Sequence, residues 1–182
     1  MKTRIAVSIA ALTAALSSQP LLAQEMKAKP PGDAAPMMTI DRDTFLKMVG
    51  SANEWEIQSS ELAEQKSSSA GIKDVGKMII ADHTKAGEKL KATLESKGGQ
   101  RPPPELSAKH RIMLDQLQAS EGTEFDVLYV DMQSQAHMEA IALFRTFAGS
   151  GDDQELVGFA KETLPNLEKH MAHVAMLVAG EH

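Results

Sequence analysis

Ionisable side chains stand on the apolar faces of predicted helices, where charged groups are rarely found. On the first predicted helix, at about 100° per residue, Glu56 falls between Phe45 and Val49 on the helical wheel. A carboxylate in the middle of an apolar stripe is costly unless it is paired or bound to a metal. Glu56 is therefore a candidate for a buried ion pair or a metal site.

His83 occupies the same kind of position on the second predicted helix, within the arc set by Ile79 and Leu90. If the two helices fold back on each other near Ala70, Glu56 lies 14 residues before the bend and His83 lies 13 residues after it. An antiparallel pair of helices would place the two side chains at the same height. The spacing therefore predicts that Glu56 and His83 meet inside the hairpin.

Two later helices each contribute one histidine. His137 lies on the shoulder of its apolar arc, and His170 lies inside its arc. Counted from the second bend they are about 13 and 20 residues away, which at 1.5 Å per residue predicts a height difference of roughly 10 Å. Pro165 removes a hydrogen bond from the last helix and clashes with the preceding turn. We therefore predict a bend just before His170 that turns this histidine inward.

One glutamate and three histidines from four different helices form a ligand set suited to zinc, iron or copper. No Glu-x-x-His segment occurs in the chain, so the carboxylate-rich dinuclear centre of di-iron bundles is not expected. Asp82 either orients the imidazole of its neighbour His83 or lies in solvent. A second interpretation stays open, because a buried acid and an imidazole also pair as a polar lock that fixes helix register. The predicted ligands are Glu56, His83, His137 and His170.

Other residues with chemical potential fit ordinary roles better. His110 falls on a short, mostly polar helix and is predicted to lie at the surface, and Met48 has core spacing. No Gly-rich phosphate loop, nucleophile elbow or Ser-His-Asp arrangement is recognisable. We therefore assign no catalytic residue and no organic cofactor.

Helical periodicity dominates the chain after residue 40. Apolar residues recur at helical spacing, with capping residues and Gly or Pro between the periodic stretches, and sustained strand alternation is absent from the sequence. A short helix capped by Ser107 and ending near Ser120 lies in the long middle connection. The pattern predicts an all-α protein, a ferritin-like four-helix bundle with a short extra helix in the crossover between helices two and three. The four long helices are predicted over residues 41–68, 72–97, 124–148 and 153–179.

The N-terminal part of the chain has the features of a targeting segment. In residues 1–23 two basic residues precede an apolar stretch that is too short to span a bilayer, and Ala23 supplies the small residue at the cleavage position. Residues 24–40 are rich in Pro and Ala and are predicted to form a flexible tether to a bundle domain at 41–180. The sequence therefore predicts an exported protein, periplasmic or secreted, without a transmembrane segment.

The charge balance argues against two classes of partner. Removal of Lys2 and Arg4 with the signal peptide takes the 19 basic residues to 17, against 25 acidic ones, so the formal net charge changes from −6 to −8. An acidic surface of this kind does not favour nucleic acid or anionic membranes. The chain has no cysteine, which excludes disulfides and thiolate metal sites.

Four groups of residues along the chain form a recognisable pattern. They are Phe45, 52–57, Leu62 and Ala63; 78–83; Phe125, Asp126, Tyr129, Gln133 and His137; and Leu164, Pro165, Leu167 and His170. Together these residues resemble a bacterial family known as domain of unknown function 4142, placed in the ferritin-like superfamily. The resemblance covers Asp43 to about Gly180 and implies an exported helical bundle. Members of that family often carry an outer-membrane label, but the resemblance supplies no established activity.

Two functions of different classes follow from the sequence. The first is an exported bundle that binds a metal ion or small ligand in its core through the four predicted ligands. The second is a non-catalytic envelope or stress-related bundle that acts through its surface and its protein partners, with the buried cluster purely structural. Enzymatic activity has no sequence support beyond the site itself.

Overall fold

The computed structural model describes residues 39–96, 103 and 105–180. The predicted signal peptide over 1–23, and the predicted tether as far as residue 38, lie outside the described residues. Of the tether only Thr39 and Ile40 are described, and Ile40 packs against the apolar core.

The described residues form five α-helices and contain no strand, so the predicted all-α class is confirmed. Four helices are long and one is short, and the short helix lies in the connection between the second and third long helices, as predicted. The helices are α1 (Arg42–Lys66), α2 (Ala70–Glu95), α3 (Ala108–Ala119), α4 (Gly122–Ser150) and α5 (Gln154–Ala179).

Side-chain caps explain where most of the helices begin. Asp41 accepts a hydrogen bond from the backbone N–H of Thr44, and Ser69, Ser107 and Asp153 cap α2, α3 and α5 in the same way. Helix α4 begins at Gly122, two residues before the predicted start, so only Ser120 and Glu121 separate it from α3. Gly122 has a φ of 55°, in the left-handed region that glycine adopts without a steric penalty.

The helices pack as two hairpins joined by a crossover. The first hairpin is α1–α2 and the second is α4–α5, and α1 also packs on α4 while α2 packs on α5. The start of α4 packs with the later part of α1, and the end of α4 packs with the start of α1. Helices α2 and α4 therefore run in the same direction, and the connection through α3 must cross the length of the bundle. This is the arrangement of ferritin-like folds with one long crossover.

Apolar clusters fill both ends of the bundle and leave a polar layer between them. One cluster surrounds Phe45 and Phe147, and another surrounds Trp55 and Phe125 beneath α3. Buried polar groups occur between these clusters, with exposures of 9% or less, on all four long helices. Such groups are stable in a core only when they are hydrogen-bonded, paired or metal-bound. The buried members of this layer are Glu56, Ser59, His83, Gln133, His137 and His170.

Some details differ from the sequence predictions. Met48 is 48% exposed and belongs to no apolar cluster of the described residues, because it faces outward one position before the buried Val49. Pro165 lies inside a continuous α5, and His170 beyond it is 1% exposed, so the histidine does face inward. The bend itself stays a prediction. Among the described residues, no helix combines the length and apolar character that a membrane span requires.

Candidate metal centre

Three of the four predicted ligands converge in the polar layer. One potential ligand nitrogen from each of His83, His137 and His170 lies within 4.8 Å of the other two. The ring centroids are 5.4–5.9 Å apart. Two nitrogens bound to one tetrahedral metal ion at 2.0–2.1 Å are roughly 3.4 Å apart. Metal binding therefore requires the rings to close by at most about 1.4 Å.

The hydrogen bond of His137 determines which of its nitrogens is free. Its Nδ1 lies 2.9 Å from the backbone carbonyl oxygen of Gln133. A carbonyl oxygen only accepts, so Nδ1 carries the proton and donates it. The other nitrogen, Nε2, is buried and has no hydrogen-bond partner. His137 therefore presents an unused lone pair in the core.

His170 has the complementary arrangement. Its Nε2 lies 2.9 Å from Oδ2 of Asp82, and a carboxylate accepts, so Nε2 carries the proton. Its Nδ1 is buried without a partner. The expectation that Asp82 orients its neighbour His83 was wrong. Asp82 instead accepts a hydrogen bond from His170 on α5, the helix that packs against α2. A carboxylate behind a histidine is the usual outer contact of metal-binding imidazoles.

His83 completes the group of three. It is 8% exposed, and its Nε2 is buried with no hydrogen-bond partner. Burial lowers the pKa of His83 well below its ordinary value, and the neighbouring rings of His170 and His137 lower it further. Burial also lowers the pKa of His137 to about 4 and lowers that of His170. All three imidazoles are therefore neutral at pH 7, which is the form that binds metals.

Glu56 lies beside the three histidines and not among the converging nitrogens. Its Oε1 is 3.5 Å from Nδ1 of His137, and its Oε2 is buried without a partner. Burial raises the pKa of Glu56 well above its ordinary value, and a hydrogen bond from the side chain of Gln133 opposes this in part. The Gln133 amide also donates to Ser59, 3.0 Å away.

The predicted pairing of Glu56 with His83 is not what the structure records. No hydrogen bond or ion pair joins these two residues in the described part of the chain. The ionisable side chain that lies beside Glu56 is that of His137, with Nδ1 3.5 Å from Oε1. The reason is the position of the bend, which lies at 67–69 and not at Ala70. Glu56 is then about 12 residues before the bend and His83 about 15 after it, a height difference of roughly 4–5 Å.

The predicted gap of 10 Å between His137 and His170 was also too large. The turn between α4 and α5 lies at 151–153, so the two histidines are about 15 and 18 residues from it. This corresponds to a height difference of roughly 4–5 Å, which imidazole side chains can bridge. The 5.4 Å between their ring centroids shows that they do so.

His110 is not the surface residue that the sequence predicted. Its Nδ1 is 2.6 Å from Oγ of Ser51, its ring stacks on Trp55 at 5.9 Å, and it is half-buried. Ser51 also accepts a hydrogen bond from the backbone N–H of Ser107 at 2.8 Å. These contacts fasten the start of α3 to α1. Local patterns in the sequence do not indicate these contacts, because they join residues more than 50 positions apart.

Comparisons with known proteins agree with this architecture. The sequence profile of a family described as a domain of unknown function, DUF4142, matches residues 27–177. The chain belongs to the DUF4142 family. This confirms the resemblance seen in the sequence, and the match begins at residue 27 where the resemblance began at Asp43. Among curated proteins, none matches this DUF4142 chain.

A solved structure described as CopM in the Cu(II)-bound form has a similar fold. The TM-score is 0.66 at 16% sequence identity, and the match covers 80% of this DUF4142 chain and 100% of the CopM chain. At this identity the likeness shows the fold alone. It supports the bundle architecture that brings α1, α2, α4 and α5 around the polar layer.

Proposed function

We propose that this protein binds one transition-metal ion in the core of its bundle through His83, His137 and His170. The observation that carries the proposal is the convergence of three neutral imidazoles from three helices, each with a buried nitrogen that lacks a hydrogen-bond partner. Glu56 stands beside them as a candidate fourth group, with its own unpartnered oxygen. Three protein ligands leave further coordination positions free.

The purely structural interpretation explains the cluster less well. A polar lock that fixes helix register is stable when its members satisfy one another, and a buried donor or acceptor without a partner costs about 1–3 kcal/mol. Here five unpartnered atoms lie in one layer, on Glu56, on Gln133 and on each of the three histidines. A metal ion would use the three nitrogen lone pairs together. A surface-acting bundle has no such use for them.

Copper is the metal that the ligand set favours most. Neutral imidazoles suit copper, zinc and iron, whereas magnesium, calcium and manganese prefer oxygen ligands. Copper(II) has the highest affinity for nitrogen ligands in the divalent series. The fold shared with a protein whose structure is described as Cu(II)-bound supports the same choice. Zinc and iron are the alternatives that the experiment separates from copper.

The role that this centre supports is binding or holding a metal ion, and no catalytic residue is assigned. We propose that the protein acts outside the cytoplasm, since residues 1–23 have the composition of a signal peptide. The absence of cysteine suits such a site, because its histidine ligands are not lost to oxidation in an oxidising compartment.

Metal titration of the purified protein tests the proposal. After treatment with a chelator, isothermal titration calorimetry with Cu(II), Zn(II) and Fe(II) is expected to show one site per chain, with copper tightest. Metal at a hundred times its Kd should add about 2.7 kcal/mol to the free energy of unfolding. Elemental analysis of protein isolated from its native compartment should find the same ion.

A matched pair of variants on α5 gives the control. His170→Ala removes a predicted ligand and should weaken binding by at least a hundredfold. His173→Ala makes the same change one turn away, at a half-buried ring whose Nδ1 bonds only its own helix at Lys169, and should bind metal like the wild type. A wild type that ignores all three metals, or two variants that behave alike, would refute the proposal.

A further inference from the structure

A cavity of about 50 Å³ adjoins two of the three histidines, His83 and His170. It lies between α1, α2, α4 and α5, and Glu56, His83 and His170 form part of its wall. Roughly 10–15 Å³ of such space holds one water molecule, so the cavity has room for about three or four groups of that size. A ligand of a few non-hydrogen atoms therefore fits beside the proposed metal ion.

The rest of the wall is mainly apolar. An apolar wall offers nothing to replace the hydration shell of an ion, so a charged molecule would lose solvation on entering. A small uncharged molecule would lose much less. The main apolar residues of the wall are Val49, Leu90, Leu143, Phe144, Phe159 and Leu167.

The polar part of the wall carries unpartnered atoms. Oε2 of Glu56, Nε2 of His83 and Nδ1 of His170 are buried and lack hydrogen-bond partners, and these residues all line the cavity. Glu56 is 2% exposed, so the solvent does not satisfy its oxygen. An apolar pocket with a few convergent polar groups is the usual form of a small-molecule site.

The cavity approaches the surface between α2 and α5. Its wall there includes the exposed Asn166 and Asp82, a third of whose side chain is exposed. The carboxylate of Asp82 also holds His170, so the cavity comes near the surface at the group that positions one predicted ligand.

We infer that this cavity binds a small uncharged ligand of the size of carbon monoxide, nitric oxide or dioxygen. The apolar wall holds the body of the ligand, and its reactive end lies at a free coordination position of the metal, beside Glu56. The contact with metal rests on the proposed function, whereas the entry of a small apolar molecule into the cavity does not. The metal centre is then a binding site for a diatomic ligand as well as for an ion.

Two probes separate the cavity from the metal. Xenon entry into the metal-free protein, followed by ¹²⁹Xe nuclear magnetic resonance, reports the cavity alone. Carbon monoxide binding to the protein loaded with copper and reduced anaerobically to Cu(I) reports the metal contact, through a single C–O stretching band in the infrared. Copper stoichiometry is measured on the same sample, so a failure to load metal is seen separately from a failure to bind the ligand.

Variants of the wall test the location. Ala86→Val fills part of the cavity and should weaken both xenon and carbon monoxide binding at least tenfold, whereas Ala172→Val makes the same change at an exposed position of α5 and should leave both unchanged. Leu143→Ala enlarges the cavity and should strengthen xenon binding, which keeps the test valid if Ala86→Val does not fold. Glu56→Gln should shift the C–O band, because Glu56 borders the bound ligand.

Each outcome decides the inference. Xenon entry and carbon monoxide binding that both respond to Ala86→Val or Leu143→Ala support it. Protein that holds one copper ion yet does not take up both probes overturns it and leaves the proposed function intact. Protein that binds none of copper, zinc and iron overturns the proposed function and with it the metal contact of the ligand, even if xenon enters the cavity.

Discussion

The buried carboxyl of Glu56 makes a specific prediction about stability and pH in the metal-free protein. Burial raises its pKa well above the ordinary value of 4.5, so the folded protein keeps a proton that the unfolded chain releases as pH rises. The contribution of this proton to the free energy of unfolding is fully present below pH 4.5 and is lost as pH rises toward the folded pKa. Glu56→Gln removes the titrating group and keeps the shape of the side chain.

The magnitude follows from proton linkage. One proton that is bound only in the folded state lowers the free energy of unfolding by up to about 1.4 kcal/mol for each unit of rising pH. The three buried histidines act in the opposite direction, because burial lowers their pKa values from 6.5 and the unfolded chain binds more protons below that pH. Their effect is complete above about pH 7.5. Because these histidines titrate in both proteins, the difference in stability between wild type and Glu56→Gln reports the carboxyl alone.

Urea unfolding of the full chain with a chelator, followed by circular dichroism between pH 4.5 and pH 9, measures the slope. Relative to Glu56→Gln, the wild type should lose stability as pH rises above 4.5, by up to about 1.4 kcal/mol for each pH unit, until the folded pKa of Glu56 is passed. Glu61→Gln makes the same change at an exposed position of α1 and should follow the wild type. A difference in stability between wild type and Glu56→Gln that stays constant with pH would refute the assignment of a raised pKa to the buried carboxyl.

Further predictions concern the contacts that hold the site and the crossover. Asp82→Asn should weaken metal binding by about 10–100-fold, because a neutral amide positions His170 less well than a carboxylate does. A competition titration with a chromophoric chelator measures the affinity, and an unchanged affinity would contradict this role of Asp82. Ser51→Ala removes the hydroxyl that joins His110 and the start of α3, and should cost about 1–3 kcal/mol in urea unfolding; a loss below 0.5 kcal/mol would argue against that fastening. Lys66→Met removes an ammonium group that donates hydrogen bonds to carbonyl oxygens at the end of α3, so hydrogen exchange should become faster in α3 than in α5. Equal protection of both helices in the variant would disprove this role of Lys66.

Local sequence determined most of the secondary structure. Apolar spacing and capping residues such as Asp41, Ser69 and Ser107 act within one or two helical turns, so they can be recognised without knowledge of the rest of the molecule. The helical class, the four long helices and the short helix in the crossover were predicted on this basis. The same periodicity identified Glu56 and His83 as polar residues on apolar faces, because a face is a local property of a helix.

Tertiary structure decided which of these residues meet. A shift of a bend by two or three residues lengthens one arm of the hairpin and shortens the other, so the relative height of two side chains changes by roughly one helical turn. This change is enough to replace His83 by His137 as the partner of Glu56. The bond between Asp82 and His170 joins residues 88 positions apart, and the spacing of neighbours along one helix does not reveal it. Sequence therefore placed four ionisable groups on the inner faces of four helices. The packing of those helices selected the three histidines that converge, because convergence depends on the height of each helix in the bundle and on the turns and contacts that fix it.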